Sequence, residues 1–128
     1  MTEEEFNNFL EEIGGLKNGY KTDSPPIKDA GYFSVGSGWY QLLKDLIVDL
    51  IELGWDKEVC QVKEKFGGLR FYINSASMEV FDRITKAENE SYTICEVTGL
   101  PGKLRTDIDW YVTLCDEEYE KRLKLKQK

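Results

Sequence analysis

The sequence predicts a mixed α+β chain: an antiparallel β-hairpin packed on helices, followed by a degenerate treble-clef-like zinc-knuckle tail. Three observations carry this expectation. Residues 39–51 repeat apolar side chains at helical spacing, residues 58–74 alternate about a Gly-Gly pair, and residues 95–118 keep the frame of a two-knuckle zinc site with half its ligands replaced. A length of 128 residues suits one domain, 1–128, made of a helix and long loop (1–35), a helix–hairpin–helix core (36–90) and the tail (91–128).

The first helix follows from Phe6, Phe9, Leu10 and Ile13, with Thr2 and Glu5 as a capping box and Gly14-Gly15 as the stop. Residues 16–37 form a connection rich in Gly, Pro and Ser. Loops of this length inside a domain are often functional, and Tyr20, Tyr32 and Phe33 predict that it packs. The central helix carries Trp39, Leu42, Leu43, Leu46, Ile47, Leu50 and Ile51 on one stripe, with Lys44, Asp45, Asp49 and Glu52 opposite and Gly54 closing it. The hairpin runs from Glu58 to Asn74. A turn at Gly67-Gly68 pairs Phe66 with Leu69, Glu64 with Phe71 and Val62 with Ile73. Cys60, Val62, Glu64, Phe66, Leu69, Phe71 and Ile73 then face the core, and Gln61, Lys63, Lys65, Arg70 and Tyr72 face water. Asn74 or Ser75 is expected to cap a third helix that buries Val80, Phe81, Ile84 and Ala87. A strand to Cys95, a turn at Gly99–Gly102, a short hairpin, a strand from Trp110 to Cys115 and a charged helix from Asp116 to about Leu125 complete the chain. Trp39 and Trp110 read as packing residues, and Trp55, just beyond the Gly54 stop, as partly exposed.

The net charge of −7 is uneven: residues 1–60 hold 12 acidic and 5 basic side chains, residues 61–128 hold 12 of each. An acidic front half works against duplex nucleic acid, whose phosphates repel it, and suits solubility, a basic protein partner or imitation of nucleic acid. The chain has no histidine, which removes the commonest general base and metal ligand and excludes Ser-His-Asp and Cys-His triads. No apolar run approaches the ~20 residues that span a bilayer, and the Met1-Thr-Glu-Glu-Glu start is unlike a basic signal peptide. The expectation is a cytoplasmic protein, away from membranes, whose Cys60, Cys95 and Cys115 stay reduced.

Three groups of residues are candidates for chemistry. In the tail, Cys95 and Cys115 occupy ligand positions while Thr98 and Glu118 stand where further ligands belong. A threonine hydroxyl is a poor zinc ligand, so Cys95, Thr98, Cys115 and Glu118 are remnant positions and no metal or other cofactor is expected. Two buried thiols filling the vacated space is the plain reading, with weak metal binding or a redox pair as alternatives. On the wet hairpin face, Lys65 is expected opposite Arg70, flanked by Lys63 and Tyr72, a basic patch suited to a phosphate, a nucleotide or a carboxylate-rich surface. Glu64, among apolar neighbours, should pair with a cation such as Arg105 or Lys103, reach water at an edge, or have a raised pKa.

The run Gln61-Val-Lys-Glu-Lys-Phe-Gly-Gly-Leu-Arg-Phe-Tyr-Ile73, preceded by Gly38-Trp39, resembles a group of small uncharacterised proteins of bacteria and their phages. Their core is similarly K-E-K-F-G-x-L-R-F-Y, and a C-x2-C…C-x2-H tail commonly follows it. The likeness covers about Gly36 to Tyr119, and only Cys95 and Cys115 match the tail's ligands. The resemblance brings no established activity and implies a phage or mobile-element setting. The function expected is a non-enzymatic interaction protein that binds and inhibits a host protein, such as a defence or nucleic-acid-processing factor. The alternative is a nucleotide or small-anion binder using Lys63, Lys65, Arg70 and Tyr72. An enzyme is the least supported class, for no acid-plus-nucleophile motif is present.

Overall fold

The computed structural model describes residues 3–12, 33–108 and 110–126; Thr2, Ile13, Gly14-Gly15 and most of the 16–37 connection, with Tyr20 and Tyr32, lie outside them. Within these residues the chain is mixed α+β, with four α-helices, a three-stranded sheet and a two-stranded antiparallel sheet.

The apolar stripe of residues 39–51 winds as expected. After a 3-10 turn at Ser37–Trp39, helix α2 spans Tyr40–Glu52, and Trp39, Leu46, Ile47 and Leu50 are wholly buried. The helix ends in a Schellman motif. Gly54 adopts φ +92°, its amide donates to Ile51 O and the Trp55 amide donates to Leu50 O, so carbonyls that the helix leaves open are satisfied. This turn returns Trp55 to the core, edge-on to Phe71 with ring centroids 6.0 Å apart. Trp55 is therefore buried rather than partly exposed, because the second residue past such a stop folds back on the last helical turn.

Strands β2 (Val59–Lys65) and β3 (Gly68–Ile73) form the antiparallel hairpin, with its turn one residue earlier than expected. Phe66 and Gly67 both take positive φ, 54° and 84°, the signature of a type I′ turn. Val62 then pairs with Phe71, Lys63 with Arg70 and Glu64 with Leu69. Each partner moves by two positions, so inward and outward residues keep their faces, except Phe66, which leaves the strand for the turn. The cause lies at Gly68, where a Cβ would come within 2.4 Å of the Tyr92 ring. The second glycine is needed in the strand to seat Tyr92, and the turn falls to the pair before it. A bulge between Val59 and Gln61 allows both Val59 and Cys60 to be buried.

Phe33–Ser34 forms a short strand, β1, parallel to β2, with Phe33 in register with Val62 and Ser34 with Lys63. Phe33 stacks on Phe6 of helix α1 (Glu3–Glu12), centroids 4.6 Å apart. Phe6, wholly buried, and Phe9, packed against the core, follow the expected stripe. Helix α3 spans Met78–Glu90 and is capped by Ser77, whose hydroxyl accepts the Val80 amide at 3.3 Å; the chain is still extended at Ser77, which rules out a cap at Asn74 or Ser75. Val80, Ile84 and Ala87 are buried, but Phe81, one residue off the stripe and so about 100° around the helix, is exposed. Helix α3 and the turn after it close the open edge of β3. Glu88 accepts the Phe71 amide at 3.0 Å and Ser91 Oγ accepts the Leu69 amide at 2.9 Å, which blocks edge-to-edge pairing there.

Beyond α3, residues Ser91–Thr93 make a 3-10 turn where a strand was expected, and Ile94 forms only an isolated bridge to Pro101. The Ser91 and Thr93 hydroxyls turn back on Glu88 O and Glu90 O, a local bonding mode that competes with a strand ladder. Strand β4 (Lys103–Arg105) pairs with β5 (Val112–Leu114), and helix α4 spans Asp116–Lys126. Cys95, Val112, Leu114 and Cys115 form a small cluster separate from the main core. This segment docks largely through backbone groups. Gly38 N donates to Glu96 O at 2.8 Å, Trp39 Nε1 to Ile94 O at 2.8 Å and Gly36 N to Glu96 Oε2 at 2.9 Å. Among the described residues, no helix is long and apolar enough to cross a membrane.

Candidate functional site

The Phe66-Gly67 turn is clamped from three sides. Glu64 Oε1 accepts the Gly67 amide at 2.6 Å, and the buried Thr113 hydroxyl of β5 donates to Gly67 O at 2.7 Å. On the remaining side, a Cβ on Gly67 would lie 2.4 Å from Leu104 Cδ1 and 3.1 Å from Val112 N. Glu64 thus serves the turn amide rather than a cation. Arg105, its expected partner, instead donates to Leu114 O and pairs with Asp116 at 2.7 Å.

The clamp holds Phe66 in the left-handed region, a conformation that costs a bulky side chain about 1 kcal/mol or more. In return the side chain buries little: Phe66 is 65% exposed. The Tyr111 backbone lies against Gly67, and Trp110 and Tyr111 are themselves 60% and 47% exposed. Three exposed aromatic residues therefore belong to the turn and to the β5 approach that lies against it. Lys65 Nζ stands 5.7 Å from the Phe66 ring centre and the Arg122 guanidinium 5.8 Å from that of Trp110. Trp110 is not the packing residue expected, because β5 begins only at Val112 and the segment before it lies open.

Of the basic residues picked out on the hairpin, the structure brings Lys63, Arg70 and Tyr72 together and places Lys65 apart. Lys63, not Lys65, is directly opposite Arg70; Lys65 is opposite Gly68 at the end of the ladder. Lys63 Nζ lies 5.5 Å from the Tyr72 ring centre. Arg70 donates from Nη1 to Leu69 O at 2.9 Å and from Nη2 to the Tyr92 hydroxyl at 3.3 Å. Among the described residues, no carboxylate lies within ion-pair distance of Lys63, Lys65 or Arg70. Glu88 acts on Arg70 from beyond that distance and is committed to the Phe71 amide; burial holds its carboxyl above the usual range, with the Phe71 amide and the Arg70 charge opposing.

In the tail, Cys95, Thr98 and Cys115 meet. The Thr98 amide donates to Cys95 Sγ at 3.4 Å and the Thr98 hydroxyl to Cys115 Sγ at 3.7 Å. Gly99, at φ +80°, completes the turn, and its amide donates to Cys95 O at 2.9 Å. Burial would raise the Cys95 thiol, but the Thr98 hydroxyl and the amides of Cys115, Thr98 and Val97 outweigh it and hold Cys95 below its ordinary value. The residues present do not fit a zinc ion, which needs four ligands. Thr98 Oγ1 is already bonded to Cys115 and to the Leu100 amide, Glu118 Oε1 takes Lys121 Nζ at 3.2 Å, and no three Cys, Asp or Glu side chains among the described residues form a metal-binding group.

Sequence reasoning missed the aromatic tip. One signal for it was present: a Phe-Gly-Gly run allows two turns, and the earlier one turns Phe66 outward. Comparison with protein-family models, with curated proteins and with solved structures returned no match.

Proposed function

We propose that this chain is a non-enzymatic, cytoplasmic interaction protein that docks on another protein through the tip formed by Phe66, Trp110 and Tyr111. The observation that carries the reading is Phe66. A turn position that favours Asn or Gly holds a phenylalanine that stays 65% exposed, at a cost in stability. Tyr and Trp dominate interface hot spots, and contiguous exposed apolar surface marks binding sites. The clamp from Glu64 and Thr113 supports the same reading, since a rigid anchor loses little entropy on binding. A net charge of −7 disfavours duplex nucleic acid as the partner. The K-E-K-F-G-G-L-R-F-Y resemblance implies the setting, a phage or mobile-element product with a tail descended from a zinc knuckle; the partner we propose in that setting is a host protein that the chain blocks.

The test is affinity capture from bacterial lysate by the immobilised protein beside its Trp110→Ala variant, with retained proteins quantified. A hot-spot aromatic is worth about 2 kcal/mol or more, about 30-fold in affinity. One protein should therefore be retained in near-stoichiometric amount by the native chain and lost from the variant. Identical retention profiles for the two would overturn the proposal.

A further inference from the structure

We infer that the outer face of the β2–β3 hairpin binds the phosphate monoester group of a small molecule, seated between Lys63 and Arg70. The starting point is a like-charge pair that Glu88 offsets only from beyond ion-pair distance. Lys63 and Arg70 are directly opposed across the ladder, a placement of like charges that destabilises a sheet, and among the described residues neither has a carboxylate at ion-pair distance. Both cations are positioned. Two of the Arg70 nitrogens are fixed by Leu69 O and the Tyr92 hydroxyl, which leaves the rest of the guanidinium edge oriented, and Lys63 is held against the Tyr72 ring. Gly68 is kept bare to let Tyr92 lie where it orients Arg70.

The same rung extends onto a third strand. Ser34 of β1 is in register with Lys63 and exposed, so Ser34, Lys63 and Arg70 line up across the sheet as hydroxyl, ammonium and guanidinium. The combination selects among anions. A phosphate monoester carries about −1.5 to −2 charges at neutral pH and matches two cations, whereas a carboxylate carries one. The guanidinium supplies a fork and the ammonium a point charge, the pairing that phosphate oxygens use. A chain of net charge −7 with a strand of only two residues on one side of this rung suits a small ligand over a polyphosphate backbone.

The test is titration calorimetry of the full chain with inorganic phosphate, adenosine monophosphate and glucose 6-phosphate, together with melting temperatures. The expected result is saturable binding of at least one monoester, competed by inorganic phosphate and weakened about tenfold or more by Arg70→Gln and by Lys63→Gln. Equal binding of the nucleotide and the sugar phosphate identifies the phosphate alone as the ligand group; preference for the nucleotide adds a contact from Tyr72 or Tyr92 to the base. Lys63→Glu gives the decisive signature, because it converts a repulsive pair into an attractive one. It should abolish binding while raising the melting temperature of the ligand-free protein. Absence of saturable binding by all three compounds, or binding that survives Lys63→Glu in a folded protein, would overturn the inference.

Discussion

Residues 33–90 and residues 94–119 are held in place by different physics. The first region buries two helices, a hairpin and a short strand around one apolar cluster, which Phe6 of α1 also joins. The second has a cluster of four small or medium residues and is otherwise positioned by single atoms: two thiols bonded through Thr98, carbonyls that accept from Gly38 and Trp39, and glycines with no room for a methyl group. Packing of the first kind is spread over many contacts and follows from periodicity. Attachment of the second kind depends on individual residues. The aromatic tip sits on the seam, since its turn belongs to the hairpin and its clamp, Thr113, belongs to the tail.

The largest effect should come from the apolar region. Leu46→Ala removes a wholly buried side chain and should cost about 2–5 kcal/mol, lost from the whole molecule in one denaturant transition. Gly38→Ala should act on the seam instead. Its Cβ would lie 2.1 Å from Cys95 O and 2.6 Å from Gly99 N, backbone atoms that can give way only if the tail shifts. The cost should be about 1–3 kcal/mol. Hydrogen exchange should rise at the amides of Gly38, Glu96 and Gly99 while the amides inside α2 keep their protection. Equal loss in both regions would show that the two are one cooperative unit.

A smaller, pH-dependent effect sharpens the comparison. Burial, with the like charge of Glu64 adding to it and the Gly36 amide and Arg122 opposing, holds the Glu96 carboxyl above its ordinary value. A raised folded-state pKa means that the native state binds the proton more tightly than the unfolded chain does. The resulting stabilisation is complete below the unfolded value and lost as pH rises through the folded one. Glu96→Gln keeps an oxygen for the Gly36 amide and removes the buried charge. It should be more stable than the native chain near neutral pH and should flatten the fall in stability as pH rises above the ordinary glutamate range, measured by urea unfolding. The slope that Glu88 contributes should persist.

How much of this was legible in the sequence follows the same division. Helix α2 and the two faces of the hairpin were readable because periods of 3.6 and 2 arise from burial on one side, and spacing marked Cys95, Thr98 and Cys115 as positions of one former site, though not the bonds Thr98 makes to both thiols. The register was not. Phe66-Gly67-Gly68 offers two turns, and the choice is made by Tyr92, more than twenty residues further on, pressing on Gly68. Trp55 and Trp110 exchanged roles for a related reason: a tryptophan after a helix stop and one before a strand look alike locally, and only the Schellman turn buries the first. The Lys63–Arg70 pair was half visible, since alternation sets its face but the turn sets its partner.

The central claim, that Phe66 is kept at the tip for binding at the expense of the fold, is tested most directly by Phe66→Asn. Asparagine suits the first position of a type I′ turn and should relieve about 1 kcal/mol of backbone strain. The account predicts a variant that unfolds at higher denaturant concentration with an unchanged slope, yet retains none of the protein captured by the native chain. A variant that is less stable than the native chain, or one that captures the same protein undiminished, would contradict it.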